Sequence, residues 1–521
     1  MTESATDEVG TFCLVLHSHL PWLAHHGSWP VGEEWLYQSW ATSYLPVFEV
    51  LNRLAEEGRQ NLVTLGMTPV LAAQLDDPYC LANFHTWLGF WHERAHQLAT
   101  DPNGQLREVA GHEAALARRA NGLFETHWRN GGSAVLRPLL DGNAVQLLGG
   151  PATHPFQPLL DDEVAAFALD AGLADAKSRV GQAPQGIWAP ECGYRPGLEA
   201  TYAAAGVGHF MVDGPTLLHV GRSTADAWTV GDSDVVAFGR DLEVTYRVWS
   251  PRRGYPGGPW YRDFHTFHHE TGIRHARVTS TSTHSDDKQH YDPDRVQAAV
   301  AADAADFVQV VRQRLADLRE QRDGKTGLVV AAYDTELFGH WWHEGPQWLE
   351  QVLRLLPAAG VRVTTLADAI NRGAVAGKAD PQNSSWGSNK DWSVWAGDAV
   401  ASFVTDNDAL QRRWRKLTGD LLGSAGDFST RDPALDQLAR TALLALSSDW
   451  AFMVTKDSAA GYASDRHRAH HADFHRLASA LEHCLDGDAG ARQTALDIAS
   501  PLRLSDGPFG QLDGRLLHSA S

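Results

Sequence analysis

Residues 328–345 read Leu-Val-Val-Ala-Ala-Tyr-Asp-Thr-Glu-Leu-Phe-Gly-His-Trp-Trp-His-Glu-Gly. The first five are apolar, too few for an ordinary helix and right for a strand buried on both faces. The residues that follow are Asp334, Glu336, His340, His343 and Glu344, interleaved with Trp341 and Trp342. Packing alone does not account for so dense a polar and aromatic patch at a strand end. Similar short runs recur at 12–16 before His17-Ser-His19, 62–65 before Gly-Met-Thr-Pro, 145–148 before Gly-Gly-Pro-Ala-Thr-His154, 186–188 before Ala-Pro-Glu191, 209–212 before Asp213, and 361–364. Helix-like stretches separate them, among them 163–181 and 294–321. Alternating strand and helix predicts parallel β/α units. Polar residues gathered where strands end predict the active face of a β/α barrel or the crevice of an open sheet.

After residue 371 the pattern changes. Residues 373–389 read as a loop, 409–422, 433–447 and 465–485 have helical apolar spacing, and the last 15 or so residues read as a loose tail. This predicts a catalytic region over 1–375 and a helical C-terminal domain over 376–521 that contributes to the cleft. Within the first region, the run Arg252-Arg-Gly-Tyr255-Pro-Gly-Gly-Pro259 permits neither helix nor strand interior. It marks a mobile Gly/Pro-rich loop at about 235–265, with Tyr255 exposed at its head as a lid.

Composition narrows the function. The 521 residues carry 44 basic and 64 acidic side chains, a net charge of −20. Such a surface repels phosphate backbones and anionic lipid, so neither nucleic acid nor a membrane is an expected partner. The four cysteines are far apart, and the first ten residues lack a basic-then-apolar order, which fits a cytoplasmic protein. The 19 tryptophans are many for this length. Several, including Trp22, Trp29, Trp342 and Trp395, stand beside Gly, Pro, His or Asp and suit flat platforms for the C–H faces of sugar rings.

Two carboxylates from different strands over one cavity are what glycoside cleavage needs, one to attack C1 and one to protonate the leaving oxygen. Glu191, just past a buried strand and hemmed by Trp188 and Pro190, is one candidate, although a structural cap accounts for it equally. Asp334 is the other. His17 and His19 point to one side of their strand. They suit either a metal pair or hydrogen bonds to substrate hydroxyls.

Several ordered motifs carry a resemblance. They are His17-Ser-His-Leu-Pro-Trp22, Gly150-Pro-Ala-Thr-His154, Trp188-Ala-Pro-Glu191-Cys, Tyr333-Asp334 through Gly345, Ser384-Ser-Trp386-Gly with Val394-Trp395, and Ser447-Ser-Asp449-Trp450. In this order and spacing the chain resembles glycoside hydrolase family 57, and within it the α-1,4-glucan branching enzymes. The resemblance implies a distorted (β/α)7 barrel with a C-terminal all-helical domain, a retaining double displacement on an α-glucan, and neither metal nor cofactor. It implies Glu191 as nucleophile and Asp334 as acid/base. It further implies substrate contacts from His17, His19, Trp22, Trp29, His154, Tyr255, Arg262, His340, Trp342, Trp395 and Asp449, with Tyr255 shielding the glycosyl-enzyme from water. After Trp395 the chain reads Ala-Gly-Asp-Ala-Val-Ala-Ser, without the further Trp common in branching enzymes. The same site suits an α-amylase or a 4-α-glucanotransferase. A remoter alternative is a metal-dependent polysaccharide deacetylase with His17, His19, His154 and Asp334 as ligands.

Overall fold

The computed structural model describes residues 8–518 except 30, 251–253, 425–427, 429 and 489. Ten strands form one sheet: β1 (Gly10–Ser18), β2 (Val63–Met67), β3 (Val145–Gly149), β4 (Gly186–Ile187), β5 (His209–Val212), β6 (Ala227–Val230), β7 (Val236–Gly239), β8 (Leu328–Asp334), β9 (Val361–Thr364) and β10 (Val375–Ala379). Seven of them run parallel in the order β7-β5-β4-β3-β2-β1-β8. The Asp241 N–H donates to the Val330 carbonyl (2.8 Å), tying the chain that leaves β7 to β8 at the other end of the row. The result is a distorted (β/α)7 barrel. Its irregularities lie at the margin, where β9 pairs with the first half of β1 and β6 runs antiparallel to β7 and carries β10.

Each side of a barrel strand is buried, which is why the strands read as unbroken apolar runs. On β1, Phe12, Leu14 and Leu16 face the outer helices while Cys13 and Val15 fill the interior with Trp188, Phe238 and Val330. Because the seven strands are parallel, their C-terminal ends share one mouth. His17, Trp188, Asp213, Arg240 and Asp334 all lie at or just past those ends.

All seven predicted strands are present. β6, β7 and β10 were not anticipated, and two of them correct the loop assignments. β7 and a helix at Leu242–Val248 occupy the start of the stretch read as a mobile loop, and β10 occupies part of 373–389. β7 is a short, fully buried apolar run (Val-Ala-Phe-Gly) absorbed into the loop assignment, whereas β10 (Val-Ala-Gly-Lys-Ala) is mixed in composition and largely exposed, so no apolar run announces it. The sheet therefore extends to Ala379, past residue 375. Arg252 and Arg253 lie outside the described residues.

Helices Ala401–Gly423, Pro433–Ala445, Ser448–Thr455, Ala460–Leu485 and Ala491–Ser505 follow. Pro433–Ala445 is the hub, buried from Ala434 to Ala445, with Asp432 capping its N-terminus through the Leu435 N–H. The tail is packed rather than loose as far as His518, and residues 519–521 lie outside the described residues. Phe509, Leu512 and Leu517 are buried, and the Arg431 guanidinium donates to the Gly510 and Leu512 carbonyls. Its spacing of one apolar residue every few positions hides a segment that covers the hub helix. No helix among the described residues is long and apolar enough to cross a membrane, and the buried Cys13, Cys80 and Cys192 are thiols.

Candidate active site

Glu191 follows β4 on a tight 3-10 turn, Pro190–Cys192, with φ 60° and ψ 20°. Cys192 (φ 47°) and His154 (φ 56°) are also left-handed. Non-glycine residues held in this region carry strain and concentrate at functional sites. Both oxygens of the Glu191 carboxylate accept a hydrogen bond, Oε1 from the Ser448 hydroxyl (2.8 Å) and Oε2 from the Trp386 indole N–H (2.8 Å). Burial pushes Glu191 up to about 7, and the Asp449 charge adds to the rise, against the pull of the Trp386 and Ser448 hydrogen bonds and of His19.

Ser448 has one proton and gives it to Glu191, so it accepts from His154 Nδ1 (3.1 Å). That fixes the His154 tautomer and leaves its buried Nε2 without a protein partner. The Ser448 N–H also donates to the His154 carbonyl (3.1 Å), and Pro155 pairs with Ser447, stitching the helical region onto the barrel mouth. Behind them, helix Asp162–Val180 comes so close to the 150–152 backbone that a Cβ on Gly172 would lie 2.1 Å from the Gly150 carbonyl. His19 Nε2 meets both Asp449 oxygens (3.0 and 3.1 Å), and its Nδ1 meets the Thr68 hydroxyl (3.0 Å). Burial disfavours a charged His19, but the Asp449 carboxylate reverses this and leaves its pKa raised. The rings of His19 and His154 stack at 3.9 Å, and His17 stacks on Trp188 at 4.4 Å. Burial, followed by the neighbouring histidines, holds His17 and His154 well below the usual imidazole range.

Asp334 ends β8 directly beside His17 in the strand register. Burial pushes it up to about 6, opposed by Arg240 and then by His19. Arg240 is itself buried. Its Nε donates to Asp213 (2.9 Å), its guanidinium lies 5.4 Å from the Trp386 ring, and Lys390 reaches the same Asp213 carboxylate (2.7 Å). Trp386 therefore stands on a buried ion cluster and packs edge-on against Trp188 at 4.9 Å. Glu336 accepts from the Tyr44 hydroxyl and from the His19 backbone N–H (3.2 Å) and thereby holds the end of β1. Gly339 (φ +110°) makes this turn possible, since a Cβ there would lie 1.7 Å from the Thr42 carbonyl.

Of the thirteen predicted site residues, Glu191, Asp334, His17, His19, His154 and Asp449 come together at the mouth. The other seven lie elsewhere or serve the core. Trp22 is buried and donates its indole N–H to the Ser505 carbonyl (2.9 Å), so its face is not free for a sugar. Trp342 is buried among Tyr255, Tyr261 and Trp348, while its neighbour Trp341 is 42% exposed against Phe264. Trp395 is buried in a stack on Phe156 at 4.6 Å. Arg262 pairs with Glu113 (2.6 Å) and donates to the Arg274 carbonyl, which commits its guanidinium to protein partners. His340 is buried beside Phe264, and burial pushes it down to about 3. Trp29 is 77% exposed on the loop before helix Glu33–Ser39. Tyr255 is not an exposed lid. Its ring packs near Phe307 and Trp348, and its hydroxyl donates to Asp306 (2.5 Å) on helix Pro293–Gln321. Its apolar ring gains more from that aromatic cluster than from solvent.

Ser448 and Trp386 were missed as individual site residues although their motifs were noticed. A hydroxyl beside an acidic residue, and an indole in a Ser/Gly loop, carry no signal that separates them from their neighbours. Arg240 had none, being a lone cation distant in sequence from every motif, and Lys390, although between Trp386 and Trp395, is one polar residue among several there. Among the described residues, the group of three within metal-ligand reach is His19, His154 and Asp449, which holds two of the four ligands in the deacetylase alternative, with Asp449 in place of His17 and Asp334.

Known proteins share this arrangement of chain. The family model for glycosyl hydrolase family 57 matches residues 13–380, and that for the C-terminal region of 1,4-alpha-glucan branching enzymes matches 413–516. A probable 1,4-alpha-glucan branching enzyme of Mycobacterium tuberculosis (strain ATCC 25618 / H37Rv) is 53% identical across 99% of this chain and 100% of its own length. A 1,4-alpha-glucan branching enzyme of Thermococcus kodakarensis is 32% identical across 91% of this chain and 74% of its own. The crystal structure of a GH57-type branching enzyme from Pyrococcus horikoshii superposes with a TM-score of 0.90 at 29% identity, covering 98% of this chain and 97% of that one. Matched over most of its length by the family and over nearly all of it by close relatives, the chain belongs to glycosyl hydrolase family 57.

Proposed function

We propose that the chain is a retaining 1,4-α-glucan branching enzyme acting on amylose or a glycogen-like glucan. In this reading a Glu191 oxygen attacks C1 of the donor as Asp334 gives its proton to the departing O4. The C1–O4 bond breaks and a glycosyl ester forms on Glu191. The O6 hydroxyl of an acceptor chain then attacks C1, loses its proton to Asp334, and releases the ester as an α-1,6 branch. One observation carries the assignment of Glu191: a buried carboxylate on a strained turn at the barrel mouth has each oxygen held by its own donor, and the nearby His154 ring, 3.9 Å away, is disfavoured as a cation by burial. Retention requires the two carboxyl groups to stand about 5–5.5 Å apart. His19 and Asp449, in contact at 3.0 Å, are suited to binding sugar hydroxyls, and His154 Nε2 is free to accept from one. The buried thiols of Cys13, Cys80 and Cys192 support a reducing, cytoplasmic setting.

Incubation with amylose, followed by proton NMR, is expected to show α-1,6 anomeric signals growing faster than reducing ends. Short linear products alone would remove branching from the reading. A hydrolytic side activity is favoured by the position of Tyr255, which leaves the mouth without the shield expected of it, so reducing ends are expected to accumulate measurably.

Burial places the two carboxyl groups close in pKa, Asp334 at about 6 and Glu191 at about 7. The reaction uses one of them ionised and the other protonated. Acid protonates both and base ionises both, so kcat/KM is expected to follow a narrow bell with limbs near pH 6 and pH 7. A plateau from pH 5 to 9 would overturn this.

Ser448→Ala removes one of the two hydrogen bonds to Glu191 and leaves His154 Nδ1 without its acceptor. A hydrogen bond to a charged group contributes about 1.5–3 kcal/mol, so kcat is expected to fall by roughly 10- to 100-fold. The Glu191 limb of the pH profile is expected to move to higher pH. A lower Tm with an unmoved limb would reduce Ser448 to a packing residue.

A further inference from the structure

A ring nitrogen from each of His19 and His154 and a carboxylate oxygen of Asp449 lie within 4.8 Å of one another. Donors at about 2.0–2.2 Å from one tetrahedral ion are themselves roughly 3.3 Å apart, so the 3.0 Å between His19 Nε2 and Asp449 needs little widening. The outer nitrogens are already fixed as they are in metal-binding histidines, His19 Nδ1 on the Thr68 hydroxyl and His154 Nδ1 on the Ser448 hydroxyl. His154 Nε2 is buried and has no protein partner. Two imidazoles and one carboxylate select a divalent transition ion over magnesium or calcium.

We propose that His19, His154 and Asp449 form an inhibitory site for a divalent transition ion such as zinc, which displaces the proton shared by His19 and Asp449 and competes with glucan for the mouth. The competition rests on the reading of these residues as glucan contacts; the binding of the ion does not. The fourth position on the ion would be filled by water.

A second chelating pair must be removed first. His92 and His96 stand one turn apart on helix Pro78–Leu98 with their Nε2 atoms 3.0 Å apart. The test therefore uses the full chain carrying His92→Ala and His96→Ala, outside the site and expected to keep full activity. Titration with Co2+ alone is expected to give the visible absorption of a tetrahedral site at one equivalent, lost in the further variants Asp449→Asn and His154→Ala. With Zn2+ at about ten times its inhibition constant, the apparent KM for amylose is expected to rise roughly tenfold with kcat unchanged, and a chelator is expected to restore it. Absence of the Co2+ band, or its survival in both variants, would overturn the metal site. A band that soluble glucan fails to displace would instead overturn the competition, and with it the placement of glucan on these residues.

Discussion

Glu191→Gln is expected to lower the branching rate on amylose by roughly 10^4-fold or more, about 5.5 kcal/mol of barrier. The substitution keeps the shape of the side chain and removes the anion that would form the glycosyl ester. The amide has one acceptor oxygen where the carboxylate offered one each to Ser448 and Trp386. The variant is therefore expected to fold with a slightly lower Tm, and circular dichroism separates the two effects. Activity above about 1% of the parent would remove Glu191 from the nucleophile's role. External azide tells the two carboxyl groups apart. With Glu191→Gly and an activated α-glucosyl donor, azide displaces the leaving group once and yields the β-azide. With Asp334→Gly it attacks the glycosyl-enzyme and yields the α-azide. The opposite pair of products would exchange the roles.

Asp213→Ala is expected to be the most destabilising single change near the site, at about 3–5 kcal/mol. Asp213 is fully buried and carries two cations, Arg240 at 2.9 Å and Lys390 at 2.7 Å. Its removal strands a buried guanidinium, which costs far more than the pair itself contributes. Lys390 retains some contact with water, which keeps the loss from running higher. The damage spreads to Trp386, because Arg240 lies beneath its ring and the Lys390 ammonium donates to its carbonyl (3.3 Å). Thermal unfolding is expected to show a clear fall in Tm together with lost activity, and Asp213→Asn, which keeps one acceptor, is expected to recover part of both. An unchanged Tm would show that the cluster is solvated.

The barrel was legible in the chain because a strand buried on two faces admits little except apolar residues, as in β1, β3 and β8. β10 escaped because one short exposed strand of Val, Ala, Gly and Lys resembles a loop. At the site, Asp334 stood out as an acid in a dense polar and aromatic patch at a strand end, whereas Glu191, which a structural cap explains equally from the residues alone, was singled out by the family resemblance. The tryptophans were not legible. Trp341 and Trp342 are adjacent and identical in chemistry, and only the turn around Gly339 decides which is exposed and which joins the core. Tyr255 shows the same limit. Its surroundings are all Gly and Pro, and its partner Asp306 is set by how helix Pro293–Gln321 lies across the barrel, a long-range fact that no local pattern contains.

The donor that orients Glu191 comes from position 448, more than four-fifths of the way along the polypeptide, and the partner of His19 is its neighbour at 449. A segment that stops before residue 448 therefore keeps the Trp386 donor to Glu191 but lacks both the Ser448 donor and the carboxylate that meets His19. The catalytic mouth is thus shared property, and separating the barrel region from the helical region divides the site itself.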